Sequence, residues 1–307
     1  MRHPWFLAFA FSIAAAAQTP VVPGADKPDA GPAAGATSKP SPIAVLRAAD
    51  EAGRGAALIK FLDAQLATNA VYSGQFSELG KLPWDATPML RGWLAKAPEG
   101  ALAEDSRFRE GCINALRDCV DKAPDELVAE LEGLAATAAT PERVAICAKY
   151  ALAQFGKSEH VDAMIEAAKK GSDSTDIQTK VESWSQLADI YYNIRRYEDA
   201  AKAHGTVIAA INGVNPGFRG LPSVYYNCAC SYALSGNKKA ALEHLTKALQ
   251  LGKQVRNQLG LAMIKSDMDI RSLRSEPEFA GLMKDYYGIE PPKAEAGAEP
   301  TKKEAGK

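Results

Sequence analysis

Two stretches of this chain superimpose at a fixed offset of 41 residues. Trp184, Leu187, Ala188, Tyr191, Ala200 and Val207 recur as Tyr225, Cys228, Ala229, Tyr232, Ala241 and Ala248. Each set runs large, medium, small, aromatic over two turns of helix, and a small residue follows on a second helix. A small residue lets two helices approach closely, and the aromatic wedges into the neighbouring turn. A hairpin of two such helices cannot bury its apolar face alone, so the repetition predicts hairpins stacked on one another. The expected fold class is all-α: a right-handed α-solenoid of stacked helical hairpins with disordered termini.

A weaker repeat precedes the strong one. Phe108, Cys112, Ala115, Leu116 and Val128 recur 36 residues later as Val144, Ala148, Ala151, Leu152 and Met164. Ala123-Pro124-Asp125 and Gly156-Lys157-Ser158 read as the turns within these two units. A still earlier pair is suggested around Phe76–Leu79 and Met89–Leu94, with Trp84 between them. Ser41-Pro42, Thr87-Pro88 and Thr140-Pro141 mark helix starts, because a hydroxyl caps free N–H groups and proline suits the first helical position. Ser275-Glu276-Pro277-Glu278 reads as a capping box. Stretches of alternating β-branched residues are absent.

The strong pair resembles the tetratricopeptide repeat family in its order of aromatic, leucine-like, small, tyrosine, alanine and small residues. Gly236 also stands at the inter-helix turn, where that family prefers glycine; the first unit has Arg195 there. The family's spacing is about 34; here Asn212–Gly217 lengthen the gap. The earlier, weaker units resemble HEAT-type hairpins. The segment from Asp267 to Phe279 looks like the polar closing segment of many bacterial repeat proteins, which keeps an open-ended stack soluble. The expected organisation is thus HEAT-like hairpins over 43–175 and tetratricopeptide-like repeats with a closing segment over 176–287.

The ends read differently. Arg2 and His3 precede an apolar stretch from Trp5 to Ala14, and Ala15-Ala16-Ala17 before Gln18 suits a signal peptidase. Residues 1–17 are therefore expected to be a signal peptide cleaved near Ala17, which would place the mature protein in the periplasm or outside the cell. A retained anchor is the competing reading, but the stretch falls short of the roughly 20 residues that span a bilayer. No later stretch could span one, so no integral membrane span is expected after cleavage. Residues 18–42 form a Pro/Ala/Gly linker and 288–307 an Ala/Glu/Lys tail, both too poor in apolar residues to fold.

Charge argues about partners. Acidic and basic residues number 37 and 36, and no basic cluster stands in the folded part, so nucleic acid is not an expected partner. Of the five cysteines, Cys112 and Cys119 sit about 10 Å apart on one helix, too far to bridge. Cys119 and Cys147 lie on successive units and could meet. Cys228 and Cys230 point in different directions on a helix and read as small apolar packing. Gly156-Lys157-Ser158 lacks the earlier glycine and the strand of a phosphate loop. His160, His204 and His244 lie on different helices with no zinc-ligand spacing. No serine has a nucleophile-elbow context. Asp50-Glu51, Asp125-Glu126 and Glu198-Asp199 suit helix dipoles and solvated faces. No catalytic residue, metal site or cofactor is expected.

The family resemblance implies that the inner, concave surface is the binding face. Carried onto this sequence, that face comprises Glu182, Ser185, Gln186, Asp189, Tyr192 and Asn193, then Ser223, Tyr226, Asn227, Cys230, Ala233 and Leu234. Amides can pair with a peptide backbone, and tyrosines supply rigid contact area. The expected function is a non-enzymatic scaffold that binds an unidentified protein or peptide in the cell envelope. Two alternatives stay open: a hydrolase-type enzyme whose site one sequence does not reveal, and a self-assembling structural protein.

Overall fold

The structure is a computed structural model and describes residues 40–67 and 76–289. The signal peptide, nearly all of the linker and nearly all of the tail expected from the sequence lie outside the described residues. Every regular element described is helical: α1 (Pro42–Ala48), α2 (Arg54–Leu66), a 3-10 turn (Ser77–Lys81), α3 (Thr87–Gly92), α4 (Asp105–Cys119), α5 (Asp125–Ala136), α6 (Glu142–Gln154), α7 (Glu159–Ser172), α8 (Ile177–Asn193), α9 (Tyr197–Val214), α10 (Leu221–Leu234), α11 (Lys238–Gln254), α12 (Leu261–Ser266), a second 3-10 turn (Arg271–Leu273) and α13 (Pro277–Tyr287). No strand occurs among the described residues. No described helix is long and apolar enough to cross a membrane.

Sequence spacing explains which side chains go inside. Phe108, Cys112, Ala115 and Leu116 on α4, and Val144, Ala148, Ala151 and Leu152 on α6, are all buried. They recur at three- and four-residue intervals, so each set lines one helix face. The stronger repeat behaves alike. Leu187, Ala188, Ala200 and Val207 are buried, as are Cys228, Ala229, Ala241 and Ala248. The wedging aromatics Trp184, Tyr191, Tyr225 and Tyr232 are half-buried, and the Trp184 indole donates to the Ser172 carbonyl at 3.1 Å.

Helices from α7 to α11 each pack on the next in chain order, while α6 packs on both α4 and α5. The core follows that order. One apolar cluster lies within residues 43–155, a second links α7, α8 and α9, a third links α9 and α10, and a fourth joins α10 and α11 to the closing elements. The 3-10 turn at 271–273 and α13 both rest on α11, with Ile270, Leu273 and Phe279 buried there. The earliest pair expected from sequence is only a 3-10 turn and the six-residue α3.

Three hairpin turns share one hydrogen-bond pattern. The amides of Lys157, Arg196 and Asn237 donate to the carbonyls of Leu152, Tyr191 and Tyr232 at 2.9, 2.8 and 2.9 Å. The residue before each amide is left-handed: Gly156, Arg195 and Gly236, with φ of 93°, 61° and 85°. This is a Schellman ending, which needs positive φ. Glycine adopts it without steric cost; arginine does not. Arg195 holds the conformation while its guanidinium donates to Asp118 at 2.7 Å and to the Arg117 carbonyl at 3.1 Å. A local departure from the repeat pattern thus coincides with a tie across 77 residues of sequence.

Helix starts fall close to the sites read from sequence, but their capping chemistry is corrected in three cases. Ser41 does cap α1, accepting from Ala44 at 3.4 Å. Thr87 is itself the first residue of α3 and donates its amide to Asp85 at 2.8 Å. Thr140 stands one residue too early, because Pro141 is the extended residue that precedes α6. At α13 the cap position belongs to Glu276, not Ser275, and its carboxylate is drawn away to Lys238 at 2.6 Å.

Candidate functional site

Residues 182, 185, 186, 189, 192 and 193 recur at three- and four-residue intervals along α8, so they share one face. Glu182, Ser185, Gln186, Asp189, Tyr192 and Asn193 are all half-buried. The face continues onto α6: Gln154 donates to the Asn193 carbonyl at 2.5 Å, and the Asn193 amide folds back on the Asp189 carbonyl at 2.8 Å. Glu182 accepts from Gln178 one turn earlier at 2.9 Å. Asn227 and Ser223 on α10 are half-buried.

Tyr226, Cys230 and Ala233 are instead buried, because the chain returns and covers them. After α12, the segment Asp267-Met268-Asp269 runs across this face. The Tyr226 hydroxyl donates to Asp267 Oδ2 at 2.6 Å, and the Tyr192 hydroxyl donates to Asp269 Oδ2. Cys230 Sγ lies 3.8 Å from Asp267 Oδ2. The Asp269 amide caps Asp267 Oδ1 at 2.9 Å, and Arg274 donates to the Asp267 carbonyl at 2.6 Å. Two residues expected to meet a foreign peptide thus hold a segment of the protein itself. Burial raises the Asp267 carboxyl above its ordinary value, with the Tyr226 hydrogen bond opposing the rise. Cys230, Asp267 and Asp269 place three donor atoms within 4.8 Å of one another. They are the group among the described residues able to converge on a metal ion, though each carboxylate already accepts from a tyrosine.

A second polar group lies where α4, α6 and α8 meet. Nε and Nη1 of Arg117 are buried and make no hydrogen bond. The neighbouring carboxylate, Asp118, is taken: it accepts from Arg195 at 2.7 Å and from the Phe76 amide at 3.0 Å. Burial pulls the Arg117 guanidinium below its ordinary value, with Cys147 and Asp118 opposing. The Tyr150 hydroxyl on α6 lies within electrostatic reach of both Arg117 and Asp189, and burial keeps it protonated by raising its pKa.

Asp189 is a perturbed carboxyl on the α8 face. Burial alone pushes it from 3.8 to about 7. A carboxyl raised on folding binds its proton more tightly in the native state, so stability declines as pH climbs from about 4 towards 7 and then levels off. Asp189→Asn is expected to remove this dependence. Its stability should match wild type at pH 4 and exceed it at pH 8 by on the order of 2 kcal/mol, allowing for partial solvent screening. Urea unfolding of both proteins at the two pH values measures the difference; a gap that does not change with pH contradicts the assignment.

The thiols are placed as packing groups. All five are free, and burial pushes Cys119, Cys147 and Cys228 up to about 12. A thiol so raised is a poor nucleophile near neutrality. Cys119 also lines a cleft of about 320 Å³ beside Trp84 and Asp85, away from the α8 face. His204 is buried in α9, where burial pushes it down to about 4, so it packs as the neutral ring.

Sequence reasoning missed Arg117, Tyr150, Asp267 and Asp269. Cys147, Tyr150 and Gln154 do recur at helical spacing on a polar face of α6, a signal that was legible. No spacing rule could have paired Tyr192 with a residue 77 positions later. Neither family models, nor curated proteins, nor solved structures provide a match to this chain.

Proposed function

We propose that this chain is a non-enzymatic helical-repeat scaffold that holds an extended protein segment along the α6–α8–α10 face. In this reading HEAT-like and then tetratricopeptide-like hairpins stack into a right-handed solenoid, and the signal peptide delivers the protein to the cell envelope. The observation that supports it most is the grip on Asp267-Met268-Asp269. Two tyrosine hydroxyls on successive inner helices each take one aspartate of a non-helical stretch. The face is therefore chemically suited to an extended chain with side chains at alternate positions. Glu182, Ser185, Gln186 and Asn193 are the part of it that remains open to a partner.

Display of a random peptide library against the full chain tests this. Wild type is expected to enrich a family of sequences that Ser185→Arg/Gln186→Arg, with two bulky charges in the open part, does not retain. Enrichment of the same peptides by both proteins, or of none by wild type, removes the proposal. One observation favours a second reading, a hydrolase: the Asp189 carboxyl at about 7 lies in the range of a general base. Turnover of ester or peptide substrates that Asp189→Asn abolishes would select it.

A further inference from the structure

Arg117 is a buried cation whose Nε and Nη1 find no acceptor among the described residues. Asp118, the adjacent carboxylate, is bonded to Arg195 and to the Phe76 amide. A desolvated guanidinium in this state costs folding free energy, and a hydrocarbon side chain of similar size would cost less. A group kept at such expense points to an interaction made outside the folded monomer. Nη2 is the nitrogen not sealed in, and the protonated Tyr150 hydroxyl lies in the same group.

We propose that Arg117, assisted by Tyr150, receives a carboxylate side chain of an extended acidic peptide on the inner face; this rests on the scaffold reading above. A singly charged carboxylate fits Nη2, the one guanidinium nitrogen left open, as an acceptor. A phosphate dianion does not, since Asp189 stands nearby and Arg117 offers a single positive charge. The face also shows how it treats such a chain. Tyr226 and Tyr192 already take Asp267 and Asp269 by hydroxyl-to-carboxylate hydrogen bonds. Tyr150 with Arg117 repeats the device on α6, with a charge added. The partner is thus an unfolded segment with aspartates or glutamates at alternate positions, entering beside the protein's own Asp-Met-Asp.

Fluorescence anisotropy on the full chain near 0.1 M salt, where exposed charges are largely screened, tests the assignment with three labelled probes. One is an acetylated, amidated peptide centred on Asp-Met-Asp. The second replaces both aspartates by asparagine, and the third is the asparagine peptide with a free C-terminal carboxylate. The acidic probe is expected to bind at least about tenfold tighter than either other probe. Arg117→Met should erase that preference while raising the melting temperature by about 2–4 °C, because a buried guanidinium without acceptors for Nε and Nη1 is removed. A lower melting temperature assigns Arg117 a structural role and overturns the proposal. Undiminished binding of the acidic probe by Arg117→Met overturns it too, as does arginine-dependent binding of the free C-terminus. If library peptides bind without regard to Arg117, this inference fails and the scaffold reading stands; if no peptide binds, both fail.

Discussion

Phe108→Ala should destabilise the protein by about 3–5 kcal/mol, the range for deleting a fully buried aromatic side chain. Phe108 has no exposed surface. Its ring meets Trp93 edge-on, with centroids 5.8 Å apart and planes at 65°, a geometry that adds about 0.5–1.5 kcal/mol to simple burial. The void cannot collapse easily, because its walls come from helices α2 to α6 packed in one cluster. The loss should also be local. That cluster ends at Phe155, whereas the cluster that closes the chain draws on residues 225–289. Hydrogen exchange is therefore expected to accelerate across α2–α6 at denaturant concentrations where α10–α13 remain protected. A loss under about 1.5 kcal/mol speaks against the packing described for Phe108. Equal acceleration throughout would show that the clusters unfold as one unit.

Tyr226→Phe removes a single oxygen, and its cost should depend on pH. The hydroxyl donates to a buried carboxylate at 2.6 Å, and hydrogen bonds to charged groups contribute about 1.5–3 kcal/mol. Burial already raises the Asp267 carboxyl, and this bond is the largest influence holding it down. Without it the native state takes up the proton more readily. Stability of the variant must then fall more steeply than wild type as pH rises through the Asp267 titration. The expected cost is about 2–3 kcal/mol at pH 8 and clearly less at pH 4, where a protonated Asp267 no longer needs a donor. Denaturant unfolding at both pH values checks this. A pH-independent cost would mean that Tyr226 acts by packing alone. The same variant bears on function, since loosening Asp267 frees part of the face that its own segment covers.

Both predictions concern places where sequence spacing and three-dimensional arrangement carry different information. Spacing identified Phe108, Cys112, Ala115 and Leu116 as one buried face, and burial agrees. It paired Arg195 with Gly236, and both turns are left-handed. Spacing works there because a helix maps sequence intervals onto a cylinder with little freedom. Caps were less legible. Thr87, Thr140 and Ser275 each lost the cap position to a neighbour within two residues, and none of those neighbours caps its helix with a side chain, since the free amides of a helix start do not require a side-chain cap.

The candidate site divides in the same way. Residues 182, 185, 186, 189, 192 and 193 share a face by helical arithmetic alone, and all six are half-buried. Residues Tyr226 and Cys230 obey the same arithmetic, yet they are enclosed, because a stretch about 40 positions further on lies across them. Arg117 shows the complementary case: its Nε and Nη1 are buried without an acceptor, while the adjacent Asp118 is bonded to Arg195 and to the Phe76 amide. Periodicity specifies what each helix turns inward. Which of those surfaces the chain then covers, and which buried donors it leaves without an acceptor, depends on contacts between positions that no local rule relates.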